Sequence, residues 1–154
     1  MTQSLHSSTF DLTQRAPRSL RQRLGGFAIL PRMLDKCRAL IAGTIGEYHF
    51  NCPLDQQFFS FLQLDPEALK AELSQGRTDS EMLAWVLAHA GRKPAAWESA
   101  AWSDYQERRQ PTSDPDMMTV FSRILVGISS TRTDIQSWAD LIDLDDHVSF
   151  GGTA

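Results

Sequence analysis

Apolar residues along this chain of 154 residues recur at intervals of three and four, and no alternating run is long enough to make a strand. That spacing belongs to helices with one buried side. The clearest stripe is Leu30, Met33, Leu34, Cys37, Leu40 and Ile41. Pro31 stands in the first turn of this helix, where its missing N–H costs nothing, and Gly43 suits the end. The opposite side carries Arg32, Asp35, Lys36 and Arg38. On an amphipathic helix such a side is expected to face water. After Gly46 the chain enters a polar, aromatic loop, Tyr48–Cys52, which leads through Pro53 into the next apolar run.

Further helices follow from start and stop signals. Leu54–Leu62 holds Phe58, Phe59, Phe61 and Leu62 on or near one side. Asp65-Pro66-Glu67 is a cap, a helix-starting proline and a first-turn acid, followed by Leu69 and Leu73 and stopped at Gly76. Thr78-x-x-Glu81 is a capping box before Met82, Val86 and His89, ending at Gly91. Pro94–Arg109 places Trp97, Ala101, Tyr105 and Arg108 on one stripe, with Trp102 offset. Asp114-Pro115-Asp116 repeats the cap signature ahead of Met118, Phe121, Leu125 and Ile128. Thr131 or Thr133 opens a final helix through Ile135 and Trp138. Residues 1–26 read as an irregular basic arm with a short helix around Ser19–Leu24, and residues 143–154 as a loose acidic and Gly-rich tail. The expected fold is mostly α: a compact single-domain helical fold of six or seven helices over residues 1–154, without internal repeats.

Composition narrows the function classes. The net charge of −4 argues against nucleic acid as a partner, since that binding needs many phosphates neutralised. Basic residues are nonetheless concentrated early: residues 1–38 hold seven Lys or Arg against Asp11 and Asp35. The arm then either docks on an acidic face, of this chain or of a second copy, or stays solvated. No run reaches the roughly 18 apolar residues of a membrane span. The start MTQSLHSSTFDLTQR has no apolar core of a secretory signal. A cytoplasmic protein with thiols at Cys37 and Cys52 is the expectation.

Candidate chemistry gathers between Leu30 and Asp55. Arg32, Asp35 and Lys36 are helix neighbours, with Arg38 further round. One reading is an anion pocket, or a Lys36 amine whose proton is disfavoured by Arg32 beside it. The other is a solvated face with a surface pair of little energy. Tyr48, His49, Asn51 and Asp55 lie in or just after the loop, where Tyr48 and His49 serve as acid–base groups or Asp55 merely caps a helix. Cys37, His49 and Cys52 offer three soft ligands, but lack paired Cys-x-x-Cys spacing, so no metal is assigned. Cys37 sits on the apolar stripe, and Cys52 is the more reactive of the two. Trp85, Trp97, Trp102 and Trp138 read as core or interface anchors. The acidic run Asp140, Asp143, Asp145 and Asp146 lacks the glycine and bidentate Glu of a calcium loop. No P-loop, dinucleotide fingerprint or Gly-x-Ser-x-Gly is present, and no cofactor is implied.

The segments DLT at Asp11–Thr13, PRS at Pro17–Ser19, LGG at Leu24–Gly26 and PRMLDKCRA followed by GEYHFNCPLD resemble an uncharacterised bacterial family, domain-of-unknown-function family 5069. The resemblance is strongest from Asp11 to Asp55 and brings no reaction with it. It implies that Pro31, Arg32, Asp35, Lys36, Arg38, Gly43, Gly46, Tyr48, Asn51 and Asp55 match the family pattern, and that Cys37 stands where alanine is common.

Three functional readings come from these residues. The first is a protein, enzyme or not, that binds a small anionic molecule through Arg32, Asp35, Arg38 and Asn51, with Lys36, Tyr48, His49 and Asp55 as catalytic candidates. The second is a helical module that self-associates as a homo-oligomer or docks on a partner through the charged helix and basic arm. The third is a thiol or metal site at Cys37, His49 and Cys52.

Overall fold

The computed structural model describes residues 10–112 and 114–154. Residues 1–9 of the expected basic arm lie outside the described residues. Among the described residues there are seven helices and no strand: α1 (Leu30–Ala42), α2 (Pro53–Leu62), α3 (Pro66–Leu73), α4 (Asp79–His89), α5 (Ala96–Arg108), α6 (Pro115–Ile128) and α7 (Trp138–Ser149). None is long and apolar enough to cross a membrane. The chain divides into two compact units, one through Ser103 and one from Asp104 to Ala154.

In the first unit α1 is the axis. It packs against α2 and α3 and is buried on nearly every side from Leu30 to Ala39. The charged face expected to meet water does not: Arg32, Asp35 and Lys36 are all buried. The reason lies in what covers it. Residues 10–29 lie along α1, held by Leu12 N–H to the Thr44 carbonyl (2.9 Å), Thr44 Oγ1 to the Phe10 carbonyl (2.9 Å) and Ile29 N–H to the Leu20 carbonyl (2.9 Å). Leu12, Leu20 and Phe27 are core residues. The short helix expected around Ser19–Leu24 is replaced by turns and an isolated bridge between Leu24 and Phe27. Gly43 ends α1 in the left-handed conformation. Gly46 does the same in the following loop, where a Cβ would lie 3.1 Å from the Leu12 carbonyl oxygen. Both the handedness and the close approach require glycine.

The local caps form as their sequences dictate. Asp65 accepts from Glu67 N–H, Asp114 from Asp116 and Met117 N–H, and Thr78 and Glu81 close their box. The buried side of α5 is its polar one. Its Trp97–Tyr105 stripe is exposed, Trp97 by 73%, while Ser99 and Ser103 are buried. Ser103 Oγ donates to the Gly26 carbonyl (2.6 Å) and accepts from Ala28 N–H (2.9 Å), so a small polar residue brings the helix close to residues 26–28. The offset Trp102 supplies the apolar contact, stacking on Phe61 at 4.9 Å between ring centroids.

The second unit is built on Phe121, Ile135, Leu141 and Leu144, with Leu125, Ile128, Trp138 and Val148 packed around them. Its last helix starts later than expected. Ser137 and Asp140 form a capping box, and α7 runs to Ser149 through residues expected to form a loose tail. Leu141, Leu144 and Val148 continue one helical stripe, which fixes those residues against the core.

Candidate functional site

The charged residues of α1 end in two separate places within the first unit. The first is a sealed pin. Lys36 Nζ donates to both Asp55 carboxylate oxygens (3.0 and 2.9 Å) and to the His49 carbonyl (3.0 Å), and lies 3.3 Å from Cys52 Sγ. Side-chain exposure is 3% for Lys36 and 0% for Asp55. Asn51 takes up a left-handed conformation (φ 60°), a region Asn tolerates, and its N–H donates to Asp55 Oδ2 at 2.9 Å. Asp55 also lies in the first turn of α2, where a carboxylate is favoured. The pin therefore ties the loop after α1 and the start of α2 back to the middle of α1.

Of the catalytic candidates, Lys36 and Asp55 meet each other. His49 joins them through its backbone carbonyl while the residue itself is exposed. Tyr48 is half-buried, its ring centroid 5.5 Å from the guanidinium carbon of Arg32. Arg32 Nη1 donates to the Arg18 carbonyl at 3.3 Å. Arg32, Lys36 and Tyr48 do not line the pocket described below. Cys37 lies in the core, and burial pushes its thiol up to about 12, out of the thiolate range at neutral pH. Among the described residues no group of His, Cys, Asp and Glu gathers around a metal position.

The second place is open. A pocket of about 490 Å³ lies between the arm, α1 and the turn leading into α4. Arg15, Arg18, Arg38 and Arg77 line it together with Asp35 and Asp79. Phe10, Ala16 and Pro17 give it an apolar wall. Arg18 is its hub. The Arg18 N–H and Nε both donate to Asp35 Oδ2 (2.9 and 3.0 Å), Nη2 donates to Asp35 Oδ1 (2.9 Å), and Nη1 reaches Asp79 Oδ2 (2.8 Å). Asp79 also accepts from Arg38 Nη1 at 2.7 Å, and Arg38 Nη2 donates to the Arg77 carbonyl at 3.1 Å. The Phe10 ring lies beside the Arg38 guanidinium, 5.0 Å from its carbon. Burial works against both charges of the Arg18–Asp79 pair. The hydrogen bonds outweigh it, raising the Arg18 pKa above its ordinary value and lowering that of Asp79 below the usual carboxylate range.

Two guanidinia are not consumed by this network. Arg15 is exposed, and no described residue pairs with it. Arg77 gives Nε to Glu72 (2.9 Å) and Nη2 to Gln75 (3.2 Å). Four arginines face Asp35 and Asp79 on the wall, and Glu72 pairs with Arg77, which leaves a surplus of one positive charge, at Arg15.

The profile of a protein family described as Domain of unknown function (DUF5069) matches residues 14–148. The chain belongs to the DUF5069 family. No curated protein matches it. The DUF5069 span contains all four arginines and both aspartates of the pocket, and leaves out Phe10.

Of the sequence-derived ligand residues, the pocket takes in Asp35 and Arg38 and leaves Arg32 and Asn51 aside. It adds Arg15, Arg18, Arg77 and Asp79. The signal for Arg18 was its place in Pro17-Arg18-Ser19, one of the segments matching the DUF5069 pattern. Asp79 lies unnamed inside the Thr78-x-x-Glu81 box, whose pattern signals only a helix start.

Proposed function

We propose that this DUF5069 protein binds a small anionic molecule in the pocket between residues 10–18, α1 and the start of α4. The observation that supports this most is the positive surplus of the wall, with Arg15 lacking any described counter-charge. Isolated surface arginines are ordinary, but four around one concavity attract anions and hold them by forked hydrogen bonds. A volume of about 490 Å³ falls in the range of pockets that enclose metabolites. The apolar wall gives the body of such a molecule a surface to cover. Asp35 and Asp79 keep Arg18 and Arg38 aligned before a ligand arrives, which lowers the entropy lost on binding.

The reading is one of binding. Lys36 and Asp55, the strongest catalytic candidates by residue type, are paired with each other in the interior. Of the surface named for self-association, the charged helix is occupied within the chain, because Arg32, Asp35 and Lys36 are buried.

A thermal-shift screen of the full chain against anionic metabolites tests the proposal, since a ligand selective for the folded state raises its apparent stability. Hits are expected to lose their effect in Arg15→Ala and Arg77→Ala proteins and to keep it in Arg123→Ala, which changes an exposed arginine on α6. Hits whose effect survives both pocket substitutions would place binding elsewhere.

A further inference from the structure

One contact of the pin has no part in holding the ion pair: Lys36 Nζ lies 3.3 Å from Cys52 Sγ. We infer that these two side chains form an oxidation-responsive crosslink, in which hydrogen peroxide joins Cys52 Sγ to Lys36 Nζ through a single oxygen atom. This modification site lies apart from the anion pocket, which neither Lys36, Cys52 nor Asp55 lines.

The first observation behind it is access. Cys52 is half-buried at the start of α2, and its neighbours Asn51 and Pro53 are exposed, so a small oxidant meets the sulfur from solvent. Cys37, the other free thiol, is sealed in the core and is shielded from that oxidant. The second is capture. A cysteine sulfenic acid condenses with a thiol or a nitrogen placed beside it. Beside Cys52 that group is Lys36 Nζ, brought there by the fold from 16 positions away. The third is the fate of the proton. An amine attacks only in its neutral form. Asp55, 2.9 Å from Nζ, stands ready to take the ammonium proton. The carboxyl and the amine are then both neutral, so no buried charge is stranded.

The steps balance with two molecules of peroxide. The first converts the thiol to a sulfenic acid and releases one water. The second adds to the sulfenic acid, releases a second water and leaves an S–O–OH group on Sγ. The Lys36 lone pair attacks the sulfur-bound oxygen, so the N–O bond forms as the O–O bond breaks. The departing hydroxide takes a proton from the nitrogen and leaves as the third water. Sulfur and nitrogen each give up two electrons, and both peroxides are reduced. A bridging oxygen fills the existing gap between the two atoms. A direct S–N bond would instead draw Nζ away from Asp55 and from the His49 carbonyl, 3.0 Å away.

Mass spectrometry of the peroxide-treated full chain, intact and after proteolysis, tests the crosslink. The intact mass should rise by about 14 Da, one oxygen gained and two hydrogens lost, with Lys36 and Cys52 in one linked peptide pair. A dithiol reductant should return the original mass. Lys36→Arg keeps a cation opposite Asp55 but removes the amine. Its Cys52 should pass on to the sulfinic acid, a gain of about 32 Da, with no link. The natural chain treated in urea keeps both residues and loses their placement, which tests the same point without a substitution. Its linked fraction should fall at least about tenfold, as a reaction that depends on proximity requires.

Sulfinic acid at Cys52 of the folded natural chain, without a link, overturns the crosslink. So does a disulfide between two copies through Cys52. A linked pair that has lost about 2 Da overturns the bridging oxygen in favour of a direct S–N bond. Equal linking in urea overturns the role assigned to the fold.

Discussion

Lys36 and Arg38 leave the same helix and end in opposite kinds of place. Lys36 turns inward to Asp55, both side chains sealed from water and every Lys36 donor answered from within the chain. Arg38 reaches Asp79 at the wall of an open pocket, where a carboxylate is shared between two arginines and other guanidinia stand nearby with donors to spare. Residue types hardly distinguish the two places, since each is a basic side chain on an aspartate. Closure and charge balance do. A balanced, sealed pair fixes the chain; an open, cation-rich one leaves something for a ligand to do.

The pin should respond most strongly. Removing one partner of a buried ion pair strands the other charge in the interior, so Asp55→Leu or Lys36→Met alone is expected to cost about 3–5 kcal/mol. The double variant Lys36→Met/Asp55→Leu strands neither charge and should recover much of that loss. Urea unfolding of the three proteins measures both effects. A single-variant cost under about 1 kcal/mol would mean that the pair behaves as a solvated one, and the contrast between the two places would collapse.

Arg18→Ala comes next. It leaves the buried Asp35 carboxylate without the side-chain fork that holds it. Loss of hydrogen bonds to a charged group predicts a cost of about 2 kcal/mol. Arg18→Lys should restore little, since a single ammonium cannot span Asp35 and Asp79 as the guanidinium does. Full rescue by lysine would show that charge alone, without the fork, organises the pocket.

How far these places were legible depends on how local their signals are. Asp65, Thr78–Glu81 and Asp114 each act on the next few residues, and each cap forms as its sequence reads. The pocket and the pin depend on pairings no window contains: Arg18 meets Asp79 across 61 positions, and Lys36 meets Asp55 across 19. Hydrophobic periodicity assigned the charged side of α1 to solvent because it does not register the arm that covers it. Nor does periodicity find the buried side of α5. There Ser103 is inside because the backbone of residues 26–28 needs a small hydrogen-bonding neighbour, while Trp97 is left in water. Buried polar contacts of this kind are chosen by the partner, which the periodic pattern cannot name.

Asp79 gives a smaller, pH-dependent effect. Burial opposes its charge, but Arg18 and Arg38 hold its pKa below the ordinary carboxylate range. A carboxylate depressed in the folded state stabilises the protein above its unfolded pKa, near about 4. That contribution disappears as pH falls through the lower folded value. Thermal unfolding against pH should therefore show a flatter acid limb for Asp79→Asn, with the gap to the natural chain closing in acid. A gap that stays constant below about pH 4 would remove the ionised Asp79 from the argument.

The smallest effect on stability belongs to Arg15→Ala, and it is the sharpest test of the comparison. Arg15 is exposed and no described residue pairs with it, so its removal should change unfolding free energy by less than about 0.5 kcal/mol. The same substitution should abolish most of the stabilisation that a bound anion confers. The pin variants should show the converse: large losses in stability, with anion binding intact wherever the protein remains folded. Measuring both quantities on both sets of variants separates a residue that holds the chain from one that waits for a ligand. If Arg15→Ala lowers stability as much as Arg18→Ala does, the guanidinium is structural, and the surplus charge of the pocket loses its meaning.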